Sequence, residues 1–188
     1  PARILTDARP HIGTNRLPKV IETFRTAMLE AGADFRFNTT VVDLEQKADR
    51  VALTLSDGQE LLSKAVILAT GHSANDMYAL LHRRGVAFEA KSFAMGVRVE
   101  HPQSLINEIQ YGAFAAHRAL GAAPYQLKRT VDNIGTFSFC MCPGGFMVSS
   151  TTAGGQVVVN GMSPSKRNSK YANSGLVVSI DADRFREA

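Results

Sequence analysis

No apolar run in this sequence approaches the roughly 20 residues that a membrane-spanning helix needs. The opening Pro1-Ala2-Arg3 carries no apolar segment of the kind that begins a secretory signal. Two cysteines in 188 residues are too few for a disulfide framework, so a reducing cytoplasm is the expected setting. Neither cysteine is matched by a second Cys or His pair at ligand spacing, and no metal site is expected. Internal repeats and low-complexity tracts are also missing. The excess of either charge is small: 21 Lys and Arg stand against 17 Asp and Glu, a formal net charge of +4, interspersed along the chain. A nucleic-acid face needs a basic stripe, so no such partner is expected. The chain starts without Met and reads as an internal piece of a longer protein.

What is present is an ordinary globular balance, 45% hydrophobic and 20% charged. Leu17, Val20, Ile21, Phe24, Met28 and Leu29 recur at helical spacing and predict a helix over 15–31. Thr14 or Asn15 is the expected cap, Pro18 falls in the tolerant first turn, and Gly32 ends the helix. Phe35 to Leu44, Val51 to Leu55 and Glu60 to Leu62 then read as strands, the last two joined by an Asp57-Gly58 turn. Ala65-Val66-Ile67-Leu68 predicts a buried strand entering the small-residue turn Ala69-Thr70-Gly71. Ser73 and Asp76 suggest a capping box for a helix that carries Met77, Leu80 and Leu81 inward and stops before Gly85.

From about residue 90 the pattern becomes mostly β. Strands are predicted at 93–100, 125–129, 136–142, 146–150, 156–160 and 175–180, with a short helix at 102–111. The 146–150 and 156–160 strands would form a hairpin around Gly154-Gly155. This order fits an α/β nucleotide-binding domain interrupted by an inserted domain.

Several residues invite a chemical reading. Cys140 and Cys142 form Cys-x-Cys on a predicted strand, where period two puts both sulfurs on one face. They are the candidates for a redox dithiol, although Phe137, Phe139, Met141 and Phe146 around them favour buried, inert thiols. His11 and Gly13 lie in a polar loop before a helix N-terminus. Pro143-Gly144-Gly145 reads as a tight turn. Lys166, Arg167 and Lys170 sit in a polar stretch, 163–173, that reads as a solvated, flexible loop. Arg98 and Glu100 share a strand face and suggest ion pairing with neighbours. No residue stands out as a general acid, base or nucleophile.

Five stretches resemble a largely uncharacterised bacterial family of FAD-dependent dehydrogenases of the two-dinucleotide-binding flavoprotein type. They are Arg9 to Leu17, Ala69 to Asp76, Lys91 to Pro102, Phe139 to Gly145 and Asn160 to Ser163, in the family's order and spacing. The resemblance implies α/β plus α+β architecture. Residues 1–90 would be a partial FAD/NAD(P)-binding, Rossmann-like domain with a β-excursion, and 91–188 a β-rich substrate domain. It implies FAD as cofactor, bound near Val41, Ala69, Thr70, Gly71 and His72, and oxidoreduction of a small-molecule substrate. The family's Gly-x-Gly-x-x-Gly segment is not among these residues, so the chain alone is expected to bind FAD weakly or not at all. The remainder of the same polypeptide is then its partner. The alternatives are a tRNA-modification-like flavoprotein module and a non-catalytic β-rich interaction domain.

Overall fold

The computed structural model describes residues 5–6, 10–151 and 155–185, the side chains of 184 and 185 excepted. Expectations that rest on Pro1 to Arg3, Arg9 and Gly154 lie outside the described residues. The chain groups into two units, Met28–Ala90 and a second made of Pro1–Ala27 with Lys91–Ala188.

In Met28–Ala90, β1 (Val41–Gln46), β2 (Val51–Leu55) and β3 (Glu60–Ser63) form an antiparallel sheet in that order. Ala52 and Leu55 of β2 are buried. The Asp-Gly turn forms as expected: Gly58 takes φ +85, and the Asp57 carboxylate accepts the Gln59 N–H at 3.0 Å. The expected strand at 35–44 starts only at Val41. Asn38, at φ +54, turns the chain before it, and Phe35 stacks on Phe37 with centroids 6.4 Å apart.

α2 (Asn75–Arg83) buries Met77 and Leu80, each worth about 1.5–3 kcal/mol. Gly85 ends it at φ +76, its N–H bonded to the His82 carbonyl. The Ser73–Asp76 capping box does not form. Ala74 occupies the cap without a side-chain bond, and the Ser73 carbonyl accepts the Asn75 N–H. Arg84 fastens the end of α2 to β1, its Nε donating to Asp43 Oδ1 at 2.9 Å. The Arg84 guanidinium holds the Asp43 carboxyl below its usual range.

Ala65–Leu68 departs most from expectation. It belongs to no strand, and Ile67 is 91% exposed. A strand apolar on both faces needs a sheet covered on both sides. Among the described residues every strand pairing is antiparallel and none includes this segment. α1 (Leu17–Glu30) shows the same lesson. It forms where periodicity places it, yet none of its residues is buried, and Phe24 is 59% exposed. Periodicity determines which face is apolar but not what covers it.

The second unit is built on a four-stranded antiparallel sheet. Its strands are β4 (Phe93–Pro102), β5 (Lys128–Val131), β6 (Ile134–Cys142) and β9 (Tyr171–Ile180), ordered β4-β9-β6-β5. Asp132 and Asn133, both at positive φ, link β5 to β6 with Val131 opposite Ile134. That is the two-residue turn whose twist suits a hairpin. β7 (Phe146–Ser149) and β8 (Val159–Met162) form the expected second hairpin, with β8 starting three residues late. α3 (Gln103–Tyr111) packs by Ile106 on Ala123 and Ala172, against Tyr111, Tyr125 and Met141.

β9 begins at Tyr171 rather than Gly175, so 163–173 is not all loop. Asn173 falls in the stretch expected to be solvated, but it is fully buried, as is Ser174 beside it. Asn173 Oδ1 accepts from Arg98 Nη1 at 2.8 Å, and Ser174 Oγ donates to the Gly175 carbonyl at 3.0 Å. Partners in reach make the burial of Ser174 Oγ and Asn173 Oδ1 tolerable, while Asn173 Nδ2 is buried without one among the described residues.

Candidate functional site

Three of the sequence stretches singled out above meet in the second unit. The loop before α1 is fastened to residues 163–165. His11 Nε2 donates to the Pro164 carbonyl at 3.0 Å. Thr14 donates through N–H and Oγ1 to the Ser163 carbonyl, at 3.0 and 2.9 Å. Asn15 Oδ1 accepts the Ser165 N–H at 2.8 Å. Thr14 and Asn15 therefore hold this loop down instead of capping α1. Gly13, at φ +93, lies so close to the Ser165 backbone that a Cβ would overlap it.

Pro143-Gly144-Gly145 is a buried turn, held from α3 by one carboxamide. Gln103 Oε1 accepts the Gly144 N–H at 2.7 Å, while its Nε2 donates to the Ala123 carbonyl at 3.1 Å and Asn107 Oδ1 at 2.9 Å. Ser163 Oγ donates to the Pro143 carbonyl at 2.9 Å.

Two hollows flank this turn. One, of about 300 Å³, is bordered by His11, Gly13, Leu17, Cys142, Ser163 and Arg167. The other, of about 280 Å³, is bordered by Tyr125, Gln126, Ser138, Cys140 and Arg167. Met141, Pro143 and Arg167 border both.

Arg167 is not the solvated residue its neighbourhood suggested. It is half-buried at φ +48, and its Nε is buried without a hydrogen-bond partner. Lys166 and Lys170 are exposed, the latter over the Tyr171 ring at 5.2 Å. Arg98 is not in an ion pair with Glu100 or another acid among the described residues. Its Nη1 donates to Asn173 Oδ1 and to the Cys140 carbonyl, the latter at 3.1 Å.

The two cysteines do not simply share a strand face. Cys140 takes φ +49 and the β6–β9 register shifts between Phe139 and Cys142. This bulge breaks the alternation, leaving Cys140 exposed and Cys142 buried. Burial pushes the Cys142 thiol up, and the neighbouring Cys140 adds to it, against a smaller pull down from Arg98. Cys142 is therefore buried, as its apolar surroundings suggested, whereas Cys140 is exposed against that expectation.

In the other unit, Ala69, Thr70, Gly71 and His72 are all exposed. Gly71 takes φ +80 with nothing near its missing Cβ, and no described residue hydrogen-bonds these four. Val41 opens β1, half-buried opposite Leu55. Free backbone N–H groups on small residues fit an approaching phosphate chain. Gln103, Asn173 and the burial of Arg167 had no local signature in the sequence, because each depends on residues far along the chain.

Residues 92–188 match the family described as FAD-dependent protein, C-terminal domain-like. Residues 19–73 match the one described as FAD-NAD(P)-binding. An uncharacterized protein of Clostridium beijerinckii is 38% identical over 188 residues, covering 99% of this chain and 35% of that protein. The chain thus spans about a third of the length of the curated relative it matches. No helix among the described residues is long and apolar enough to cross a membrane.

Proposed function

Because this chain belongs to the FAD-dependent proteins, whose C-terminal domain-like family covers residues 92–188, we propose that it is the central portion of a FAD-dependent oxidoreductase of the dehydrogenase type. FAD is the cofactor to which both family matches point. Within the expected division at about residue 90, Met28–Ala90 contributes part of a Rossmann-like cofactor domain and 91–188 the substrate domain, to which the loop at 11–15 is fastened. The substrate is a small molecule, the setting is the cytoplasm, and the rest of the polypeptide completes the fold.

The observation that carries this reading is the exposed turn Ala69-Thr70-Gly71-His72, whose backbone N–H groups no described residue engages. These N–H groups would hold the cofactor's phosphates, and His72 would add a side-chain donor. Val41 offers its backbone to the adenine at the head of β1. When bound, FAD supplies the two-electron acceptor, and the protein supplies position and electrostatics. No general acid or base is assigned.

The test is purification of the whole protein that contains this chain. It should carry flavin absorbance that bleaches anaerobically with a substrate, and Gly71→Val should lower flavin content while leaving the far-UV circular dichroism unchanged. A colourless protein that regains no flavin on incubation with FAD refutes the proposal.

A further inference from the structure

We propose that the paired hollows around Arg167 bind the carboxylate of an organic-acid substrate, with Arg167 as its cationic anchor. This names a substrate class for the oxidoreductase above and rests on that reading. Arg167 borders both hollows, and its buried Nε has no hydrogen-bond partner among the described residues. A buried guanidinium donor left unpaired is costly, so its place calls for a ligand that accepts hydrogen bonds. Among the described residues, no Asp or Glu borders either hollow and Arg167 enters no ion pair. Its charge is therefore available to an anion from outside.

The surroundings favour a carboxylate over a phosphate chain. One fork-shaped cation matches one carboxylate, whereas a pyrophosphate asks for several donors. Leu17 and Met141 on one side and Pro124 and Tyr125 on the other give an apolar body somewhere to lie. The cofactor's phosphates already have the free N–H groups of Ala69 to His72. A polar head and an apolar body of modest size describe an organic acid.

Cys140 supplies a readout that needs neither flavin nor turnover, because it is exposed and borders the second hollow. In the whole protein, the rate of Cys140 alkylation by neutral iodoacetamide is measured with benzoate, inorganic phosphate or FAD present. Benzoate should slow alkylation, and Arg167→Gln should weaken that protection at least about tenfold. Arg167→Lys keeps the charge but loses the fork; it should retain benzoate protection at reduced affinity, and it serves alone if the Gln variant does not fold. Benzoate protection equally strong in both variants and the wild type overturns the proposal. So does protection by phosphate or FAD but not by benzoate, which would make this the cofactor's own anion site. Flavin absorbance is recorded separately, so a colourless protein with Arg167-dependent benzoate protection keeps the carboxylate site while the oxidoreductase reading fails.

Discussion

Gly161→Ala is the sharpest perturbation of the Arg167 side of the fold. Gly161 lies in β8, and a Cβ there would collide with Asn173 Oδ1, Arg98 Nη1 and Cys142 Sγ together. Its backbone is an ordinary strand conformation, so the effect comes from space, not from φ. Forcing a methyl into packed surroundings costs about 1–3 kcal/mol. Displacing Arg98 from Asn173, a charge-assisted bond of 2.8 Å, adds about 1.5–3 kcal/mol. The expected loss is about 2.5–6 kcal/mol, a large part of the roughly 5–15 kcal/mol that holds a typical domain. Urea unfolding reads it as a midpoint lowered by about 1–3 M at unchanged slope. Gly121→Ala is the control, because nothing lies within 4 Å of its missing Cβ and its φ is not positive; it should be neutral or stabilising by up to about 1 kcal/mol. Equal midpoints for the two variants would refute the steric account and the burial of Asn173 with it.

Gln103→Ala should destabilise by about 2–4 kcal/mol in the same assay, because it strips partners from the buried Gly144 N–H and Ala123 carbonyl; a loss below about 0.5 kcal/mol would show that the turn does not need the carboxamide. The Asp43 carboxyl is held low by Arg84, so its contribution is present above the unfolded carboxylate range and fades as pH falls through its lowered folded value. Acid titration of wild type against Asp43→Asn should therefore show the wild type losing stability on the acid limb and the variant lacking that component; identical acid limbs would refute the pairing.

Local rules explain how far the elements were legible. The Asp-Gly turn located β2 to the residue, because it fixes where Val51 to Leu55 ends and the register in which it meets β3. Helical spacing located α1 and α2, and the inward side chains Met77 and Leu80 followed from it. Caps were read less well. The oxygens of Thr14 and Asn15 had distant partners at 163–165, and competition from tertiary bonds is invisible in a window of a few residues. The Cys-x-Cys spacing misled for a related reason: a bulge at Cys140 adds a residue to the alternation, and only the pairing with β9 reveals it.

The amino-acid order by itself determined the β-excursion, the helices and the β5–β6 and β7–β8 hairpins, because these rest on contacts between residues close in the chain. Tertiary structure alone decided that residues 10–16 meet 163–165, that Asn173 is fully buried beside Arg98, and that Arg167 stands between two hollows with a donor unsatisfied. Those outcomes depend on pairings across most of the chain, and burial of a polar group is settled by where its partner ends up rather than by its own polarity.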